Sequence, residues 1–264
     1  MIGQGHNLFC IEAYPIRYLA NLKAGSTFIK TLLYRLETGL KFSQPNKIHQ
    51  LNRVFPRHKH LGLTAVEIRE EEFAFTTLRD PVSRFESLFK SKFFKPPTSV
   101  PETSHPNNLF DEIYWYLNNH SRFDFTPTSI KDQQSNAHCL LDAIQAGFEG
   151  EQKVRINPHW ARQNALFPSM KDGQLKVLLM EDLNAQLALL LSTLIPDITE
   201  VVASLGRPNR SDGQQKIPNF LDKSLIARIE QLYDQDIILH QRFTEAWAKL
   251  DFETRTHIDI PRAT

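Results

Sequence analysis

Two segments of this chain share one order of residues: an apolar run, then a cluster of anion-binding residue types, then a helical pattern. The first segment, residues 18–28, reaches its cluster at residues 23–27, and the second, residues 73–81, reaches it at Arg79. Open α/β sheets present their ligand sites at the carboxyl ends of parallel strands, beside helix N-termini. The pair therefore predicts two anion sites that could hold the two ends of one polyphosphorylated ligand.

Apolar periodicity predicts an α/β fold for the rest of the chain. Strands are expected at residues 16–22, 73–78 and 176–180, and helices at residues 28–36, 81–93, 109–119, 132–145, 183–194 and 221–250. Strands that alternate with helices are typical of a parallel sheet covered on both faces. The proline-rich residues 95–108 are expected to form a lid or substrate loop, and residues 206–218 a polar loop.

Composition leaves these two clusters as the main functional signal. The chain has 264 residues, 41% of them hydrophobic, and a net charge of +1, so no global charge favours nucleic acid or an anionic membrane. No apolar run is long enough to span a bilayer, and residues 1–14 lack the apolar core of a secretory signal, so a cytoplasmic protein is expected. Cys10 and Cys139 are too few for a disulfide framework, and two buried thiols are expected, with a single bridge as the alternative.

The first cluster, Lys23-Ala24-Gly25-Ser26-Thr27, has the residue types of a phosphate-binding turn. Gly25 lets the backbone approach a ligand, and Lys23 adds a mobile positive charge. Ser26 and Thr27 offer hydroxyl and amide donors at a helix start, although an ordinary helix N-cap explains them as well. The cluster is not a Walker A loop, because its lysine precedes its only glycine, and a Mg-ATP site is therefore disfavoured.

The second cluster begins with Arg79, whose planar guanidinium can contact a phosphate through two N–H donors. Arg84 and Ser87 are three residues apart and fall on one face of the predicted helix. Asp80 is placed to cap that helix. The alternative interpretation of this cluster is a capped helix with surface charge.

These patterns resemble those of sulfotransferases that use 3′-phosphoadenosine 5′-phosphosulfate (PAPS). That family has Lys-x-x-Ser-Thr after its first strand and Arg-Asp-Pro-x-x-Arg-x-x-Ser after a later one, and both occur here in that order. The carbohydrate branch of the family is similar in three further segments, which are Lys92-Phe93, Asn157-Pro158-His159-Trp160-Ala161-Arg162-Gln163 and Leu232-Tyr233-Asp234-Gln235-Asp236. The chain departs from the family at Leu22, where proline is usual, and in having no counterpart of the membrane anchor and disulfides of animal Golgi members. A soluble, bacterial-type member is expected.

The resemblance implies a P-loop-NTPase-like three-layer α/β fold, with a central mostly parallel sheet flanked by helices, in a single sulfotransferase domain over residues 1–264. It implies sulfuryl transfer from PAPS to a hydroxyl of a carbohydrate or glycoconjugate acceptor, without a metal, a nucleic-acid partner or a transmembrane segment. Lys23 would stabilise the charge on the leaving phosphate. The residues expected to bind the nucleotide are Lys23, Ala24, Gly25, Ser26, Thr27, Phe28, Arg79, Arg84 and Ser87, with Arg210 and Lys216 from a late basic loop.

The acceptor hydroxyl needs a general base, and histidine suits this role at neutral pH. His58-Lys59-His60 resembles the His-x-His of uronyl 2-O-sulfotransferases, and His60 matches the histidine expected to act as the base. His159 is the rival candidate, and His49 is a weaker third one.

Two other functions fit parts of the pattern. A P-loop-type nucleotide kinase would bind phosphates at the same edge of the sheet, but the position of Lys23 and the lack of a clear magnesium carboxylate argue against it. A non-catalytic module of the same fold would bind a nucleotide or glycan without chemistry. The presence of Lys23, Ser26, Arg79 and Ser87 argues against that interpretation.

Overall fold

The computed structural model describes residues 8–44, 47–48, 73–97, 109–150, 154–166, 175–206 and 219–249, and these divide into two compact units. The sheet unit contains described residues 8–44, 47–48, 73–79, 163–166, 175–206 and 238–249. The helical unit contains described residues 80–97, 109–150, 154–162 and 219–237. The assignment of residues 1–264 to a single domain stays a prediction.

The sheet has four strands in the spatial order β1-β2-β3-β4, which are β1 (Leu8–Cys10), β2 (Ile16–Leu19), β3 (Phe73–Leu78) and β4 (Leu175–Leu179). β1 pairs antiparallel with β2, whereas β2 with β3 and β3 with β4 are parallel. The parallel strands are buried at most positions, which explains why they are nearly continuous apolar runs rather than alternating ones. Their parallel register brings the carboxyl ends of β2, β3 and β4 to one edge.

Eight α-helices are present among the described residues: α1 (Ser26–Thr38), α2 (Pro81–Lys92), α3 (Leu109–His120), α4 (Ile130–Phe148), α5 (Leu183–Leu191), α6 (Ile198–Ser204), α7 (Lys223–Leu232) and α8 (Asp234–Ala248). In the sheet unit, α1, α5 and α6 bury apolar side chains in one core with the strands. The C-terminal end of α8 joins this core through Trp247, whose indole Nε1 donates to the carbonyl oxygen of Val177 at 3.0 Å.

The helical unit consists of α2, α3, α4 and α7 around a second core that is rich in aromatic side chains. The rings of Phe89 and Phe220, both fully buried, have their centroids 4.6 Å apart. Three helices of this unit begin at side-chain caps, because Asp80 and Asp222 accept from the backbone amides of Ser83 and Leu225, and Ser129 forms a capping box with Asp132.

The predicted α/β fold, with a mostly parallel sheet flanked by helices, is confirmed. Three details of the prediction were wrong. β2 ends at Leu19 rather than at residue 22, because the next residues already turn towards α1. β1 and α6 were not expected, since three and seven residues give little periodicity. The helix expected over 221–250 is two helices, since Tyr233, at φ −115° and ψ 31°, leaves helical geometry.

Three further expectations concern loops and cysteines. Most of the expected loops at 95–108 and 206–218 lies outside the described residues. Cys10 and Cys139 are not joined by a disulfide, and both are half-buried rather than buried.

A pair of glycines in left-handed conformation provides a stability test of the turn into α1. Gly25 has φ 82° and Gly39 has φ 69°, but a Cβ at Gly25 would lie 2.6 Å from Met180 Sδ, whereas Gly39 has open space around it. We expect Gly39→Ala to cost about 1 kcal/mol for the backbone strain alone. Gly25→Ala should cost roughly 2 kcal/mol or more, because Met180 must also move. If urea unfolding showed that the two variants lose the same free energy of unfolding, the close approach of Gly25 to Met180 would be contradicted.

Candidate functional site

The turn between β2 and α1 brings a helix N-terminus to the edge of the sheet. Gly25 is the N-cap of α1 in the left-handed conformation, and its backbone passes so close to Met180 and Leu183 that a Cβ there would require these side chains to shift. The first turn of α1 contains no acidic residue. Because the first amides of a helix lack intrahelical partners and form the positive end of its dipole, this turn suits an anion.

The side chains of β3 hold this turn in place. Thr77 donates its hydroxyl to the carbonyl oxygen of Ala24 and lies 3.2 Å, Oγ1 to hydroxyl oxygen, from the buried Tyr18. Burial raises the pKa of Tyr18, so its hydroxyl stays protonated. The preceding residue, Thr76, donates to the carbonyl oxygen of Leu19 at 2.8 Å. The two polar residues of this otherwise apolar strand therefore provide hydrogen bonds to carbonyl groups at the end of β2 and in the turn that follows it.

Lys23 and Arg79, two of the cationic residues predicted to bind the donor, are brought together. Arg79 Nη1 donates to the carbonyl oxygen of Lys23 at 3.0 Å. Lys23 has φ 68°, and among the described residues it is the one non-glycine residue with a positive φ. A non-glycine residue in this conformation costs about 1 kcal/mol or more and persists where its surroundings hold it. The bond from Arg79 is one of the contacts that hold it.

Two residues without a predicted role, Asn21 and Gln163, complete the network at the end of β3. Gln163 is fully buried, and its amide pairs with the backbone of Arg79: Nε2 donates to Arg79 O at 2.8 Å, and Oε1 accepts from Arg79 N at 3.2 Å. The same Oε1 accepts from Asn21 Nδ2 at 2.7 Å, and Asn21 Nδ2 also donates to Thr77 O at 2.8 Å. Gln163 lies in the segment 157–163, which resembles the carbohydrate branch of the sulfotransferases, but that resemblance did not assign a role to Gln163.

A third cation, Lys30, lies one turn beyond Ser26 on α1. It is 6% exposed, and its Nζ is 4.2 Å from the centroid of the Phe9 ring. Burial disfavours the charged amine and lowers the pKa of Lys30 to about 8. The ammonium form still predominates at neutral pH, so the first two turns of α1 carry positive charge. The sequence analysis did not single out Lys30, because a lysine in an amphipathic helix is usually a surface residue.

In the helical unit, Arg84 has structural partners. It is 4% exposed, and its Nη1 and Nη2 donate to the carbonyl oxygens of Ala161 at 2.8 Å and Pro158 at 3.0 Å. The hydroxyl of Tyr233 donates to the carbonyl oxygen of Trp160 at 2.8 Å, and burial raises the pKa of that hydroxyl. Together these bonds hold residues 158–161. Ser87 lies half-buried on the same helix as Arg84, and the predicted roles of both residues in nucleotide binding stay predictions.

His159 is oriented by its neighbours in the helical unit. Its Nδ1 is 2.7 Å from Oδ1 of the buried Asn157, and its ring lies edge-on to Phe110 at 4.9 Å between centroids. Asn157 Oδ1 also accepts from the backbone amide of His159 at 3.0 Å, which identifies this atom as the amide oxygen. In the neutral ring Nδ1 is then the protonated nitrogen, and Nε2 carries the lone pair.

The other predicted site residues, His58, His60, Arg210 and Lys216, lie outside the described residues, as does His49. Within the part of the chain that the structure describes, no group of three or more His, Cys, Asp or Glu side chains gathers as metal ligands do. Over the same residues, no helix combines the length and apolar character needed to cross a bilayer.

Comparison with known proteins identifies the family. A search of curated proteins and a search of solved structures each gave no match. The model of the sulfotransferase family matches residues 6–241, which include the turn at residues 23–27, Arg79 and Gln163. This match covers most of the 264 residues, and the chain therefore belongs to the sulfotransferase family.

Proposed function

We propose that this chain transfers the sulfuryl group of PAPS to a hydroxyl group of a carbohydrate or glycoconjugate acceptor. Family membership supports sulfuryl transfer in general. The choice of donor rests on the bond between Arg79 Nη1 and Lys23 O, which holds two cationic residues where two parallel strands end. PAPS carries an anion at the 5′ end and another at the 3′ position of adenosine, so two neighbouring cationic positions suit it.

The turn at residues 23–27 fits the 5′-phosphosulfate of this donor. Its amides begin a helix whose first turn has no acidic residue, the half-buried Lys23 precedes that turn, and the buried Lys30 follows it on α1. Amide donors, a helix dipole and lysine are the groups that bind phosphate at strand ends in α/β folds. Ala24, Gly25, Ser26, Thr27 and Phe28 are assigned to the same group by the family motif.

The 3′-phosphate is assigned to Arg79. A guanidinium can form two parallel hydrogen bonds with a phosphate, which gives directional recognition as well as charge. The backbone of Arg79 is fixed on both sides by the amide of Gln163, so its side chain starts from a defined position. The family motif adds Arg84 and Ser87, and the late loop adds Arg210 and Lys216.

In the proposed reaction, the acceptor oxygen attacks sulfur in line with the bridging oxygen of the phosphosulfate. The new O–S bond forms as the bridging S–O bond breaks, and the proton of the acceptor hydroxyl passes to a histidine base. The leaving 3′-phosphoadenosine 5′-phosphate keeps the electron pair of the broken bond. Lys23 and the first amides of α1 stabilise that developing charge, so the protein acts through positioning and electrostatics.

The first prediction tests the role of Lys23 in this reaction. Lys23→Ala should lower kcat by about 100- to 1,000-fold, as loss of one transition-state donor does, while the Kd for 3′-phosphoadenosine 5′-phosphate rises much less. Transfer of labelled sulfate to a panel of glycans measures kcat, and calorimetry measures Kd. Lys47→Ala, at an exposed lysine, is the matched control and should behave as wild type. A normal rate in Lys23→Ala would refute the assignment.

A second prediction concerns recognition of the 3′-phosphate by the side chain of Arg79. Arg79→Ala should weaken binding of 3′-phosphoadenosine 5′-phosphate by about 10- to 100-fold, because a charge-assisted pair is lost. Binding of adenosine 5′-phosphosulfate, which lacks the 3′-phosphate, should weaken far less, because at that end the variant loses only the bond that supports the Lys23 carbonyl group. Arg35→Ala is the control, since Arg35 also donates to a backbone carbonyl, that of Gly39. Equal weakening of both nucleotides by Arg79→Ala would show that Arg79 does not contact the 3′-phosphate.

A third prediction separates the candidate bases. With His60 as the base, His60→Ala should lose most of its kcat at saturating PAPS, and His159→Ala should keep it. The reverse result would transfer the role to His159, whose Nδ1 is bonded to Asn157 and whose Nε2 would then accept the proton. The pH profile of kcat provides the second readout, because removing the base abolishes its acidic limb.

A further inference from the structure

The amide of Gln163 acts as an additional backbone partner at the end of the sheet. The ladder between β3 and β4 ends with the 2.8 Å bond from Met180 N to Leu78 O, and the N–H and C=O of Arg79 follow that carbonyl in the chain. Gln163 bonds both of these peptide groups, through Nε2 at 2.8 Å and Oε1 at 3.2 Å. Because a bidentate amide contact fixes orientation as well as distance, it sets the direction in which the Arg79 side chain leaves the strand.

The same side chain reaches the start of the anion-binding turn through Asn21. Asn21 is 1% exposed, and its Nδ2 divides its two hydrogens between Gln163 Oε1 at 2.7 Å and Thr77 O at 2.8 Å. The backbone carbonyl of Asn21 accepts from Ala24 N at 3.3 Å, which bends the turn. Gln163 is therefore bonded to the residue that begins the turn and to the residue that follows β3.

These contacts form a closed circuit around the proposed donor site. From Gln163 it runs to the backbone of Arg79, from Arg79 Nη1 to Lys23 O, along the chain to Asn21, and back to Gln163 Oε1. The circuit includes both cationic residues, and Lys23 sits in it with a positive φ that needs external support. A change at Gln163 would alter the spacing between Lys23 and Arg79 without touching either side chain.

We propose that Gln163 is a positioning residue for sulfuryl transfer, which sets the spacing between Lys23 and Arg79 and so matches it to a donor with 5′ and 3′ anions. This role rests on the proposed function, because it assigns those two anions to PAPS. Gln163 contacts no substrate in this scheme and acts through Arg79 and Asn21. A displacement of about 1 Å at such a site is enough to reduce a rate by up to 100-fold.

Two variants test this role. Gln163→Ala removes the two bonds to the backbone of Arg79 and the bond to Asn21, which opens the circuit. Gln163→Glu keeps an acceptor for Asn21 and Arg79 N but replaces the donor to Arg79 O with a second oxygen. Gln186→Ala is the matched control, because Gln186 is also buried in the sheet unit and bonds a backbone amide, that of Leu179, outside the circuit. Three quantities are measured: kcat at saturating donor, KM for the acceptor, and the ratio of the Kd values for adenosine 5′-phosphate and 3′-phosphoadenosine 5′-phosphate.

Both Gln163 variants should lose about tenfold or more in kcat and should show a reduced preference for the 3′-phosphate, with little change in acceptor KM. Gln186→Ala should lose stability but keep the wild-type preference. The positioning role would be overturned if the Gln163 variants kept the wild-type kcat and preference for the 3′-phosphate, or if Gln186→Ala lost as much of both. The proposed function would still stand in that case, provided that the wild type binds the bisphosphate. Equal affinity of the wild type for both nucleotides would overturn the proposed function itself, and the positioning role with it.

Discussion

The attachment of the β2–α1 turn to the end of β3 is the interaction on which the functional site depends. The chain turns beyond the end of β2, and Thr77 and Arg79 donate to the carbonyl oxygens of Ala24 and Lys23 in that turn. This attachment joins a helix N-terminus to a cationic strand end. Gly25 makes it possible, because its backbone lies where a side chain would collide with Met180. The polar residues of the apolar strand β3, Thr76 and Thr77, thus donate to carbonyl oxygens at the end of β2 and in the turn.

The sequence allowed the central elements of the fold to be predicted, because β2, β3 and β4 are buried on both faces and their apolar runs are nearly continuous. The edge strand β1 was missed because three residues carry too little pattern. The split between α7 and α8 was missed because helical geometry is interrupted at Tyr233, which is not a residue type that signals the end of a helix. Local patterns indicate where a helix forms, whereas a break at such a residue leaves no signal in the sequence.

The same distinction applies to the site. Lys23, Gly25 and Arg79 were predictable because each belongs to a short motif directly after a strand. Asn21 and Gln163 were not, since their bond joins residues 142 positions apart. Helical spacing placed Arg84 beside Ser87, but spacing does not identify its partners, and its guanidinium bonds the carbonyls of Pro158 and Ala161. Motifs therefore indicate the candidate ligand-binding residues better than the residues that hold them in position.

The proposed function requires the wild-type chain to bind an adenosine nucleotide through separate 5′ and 3′ anions. Calorimetric titration with 3′-phosphoadenosine 5′-phosphate in the presence of a chelator, and separately with Mg-ATP, measures this binding. We expect metal-independent binding of the bisphosphate with a Kd on the order of micromolar, about −8 kcal/mol, and much weaker binding of Mg-ATP. Magnesium-dependent binding of ATP, with no binding of the bisphosphate, would contradict it.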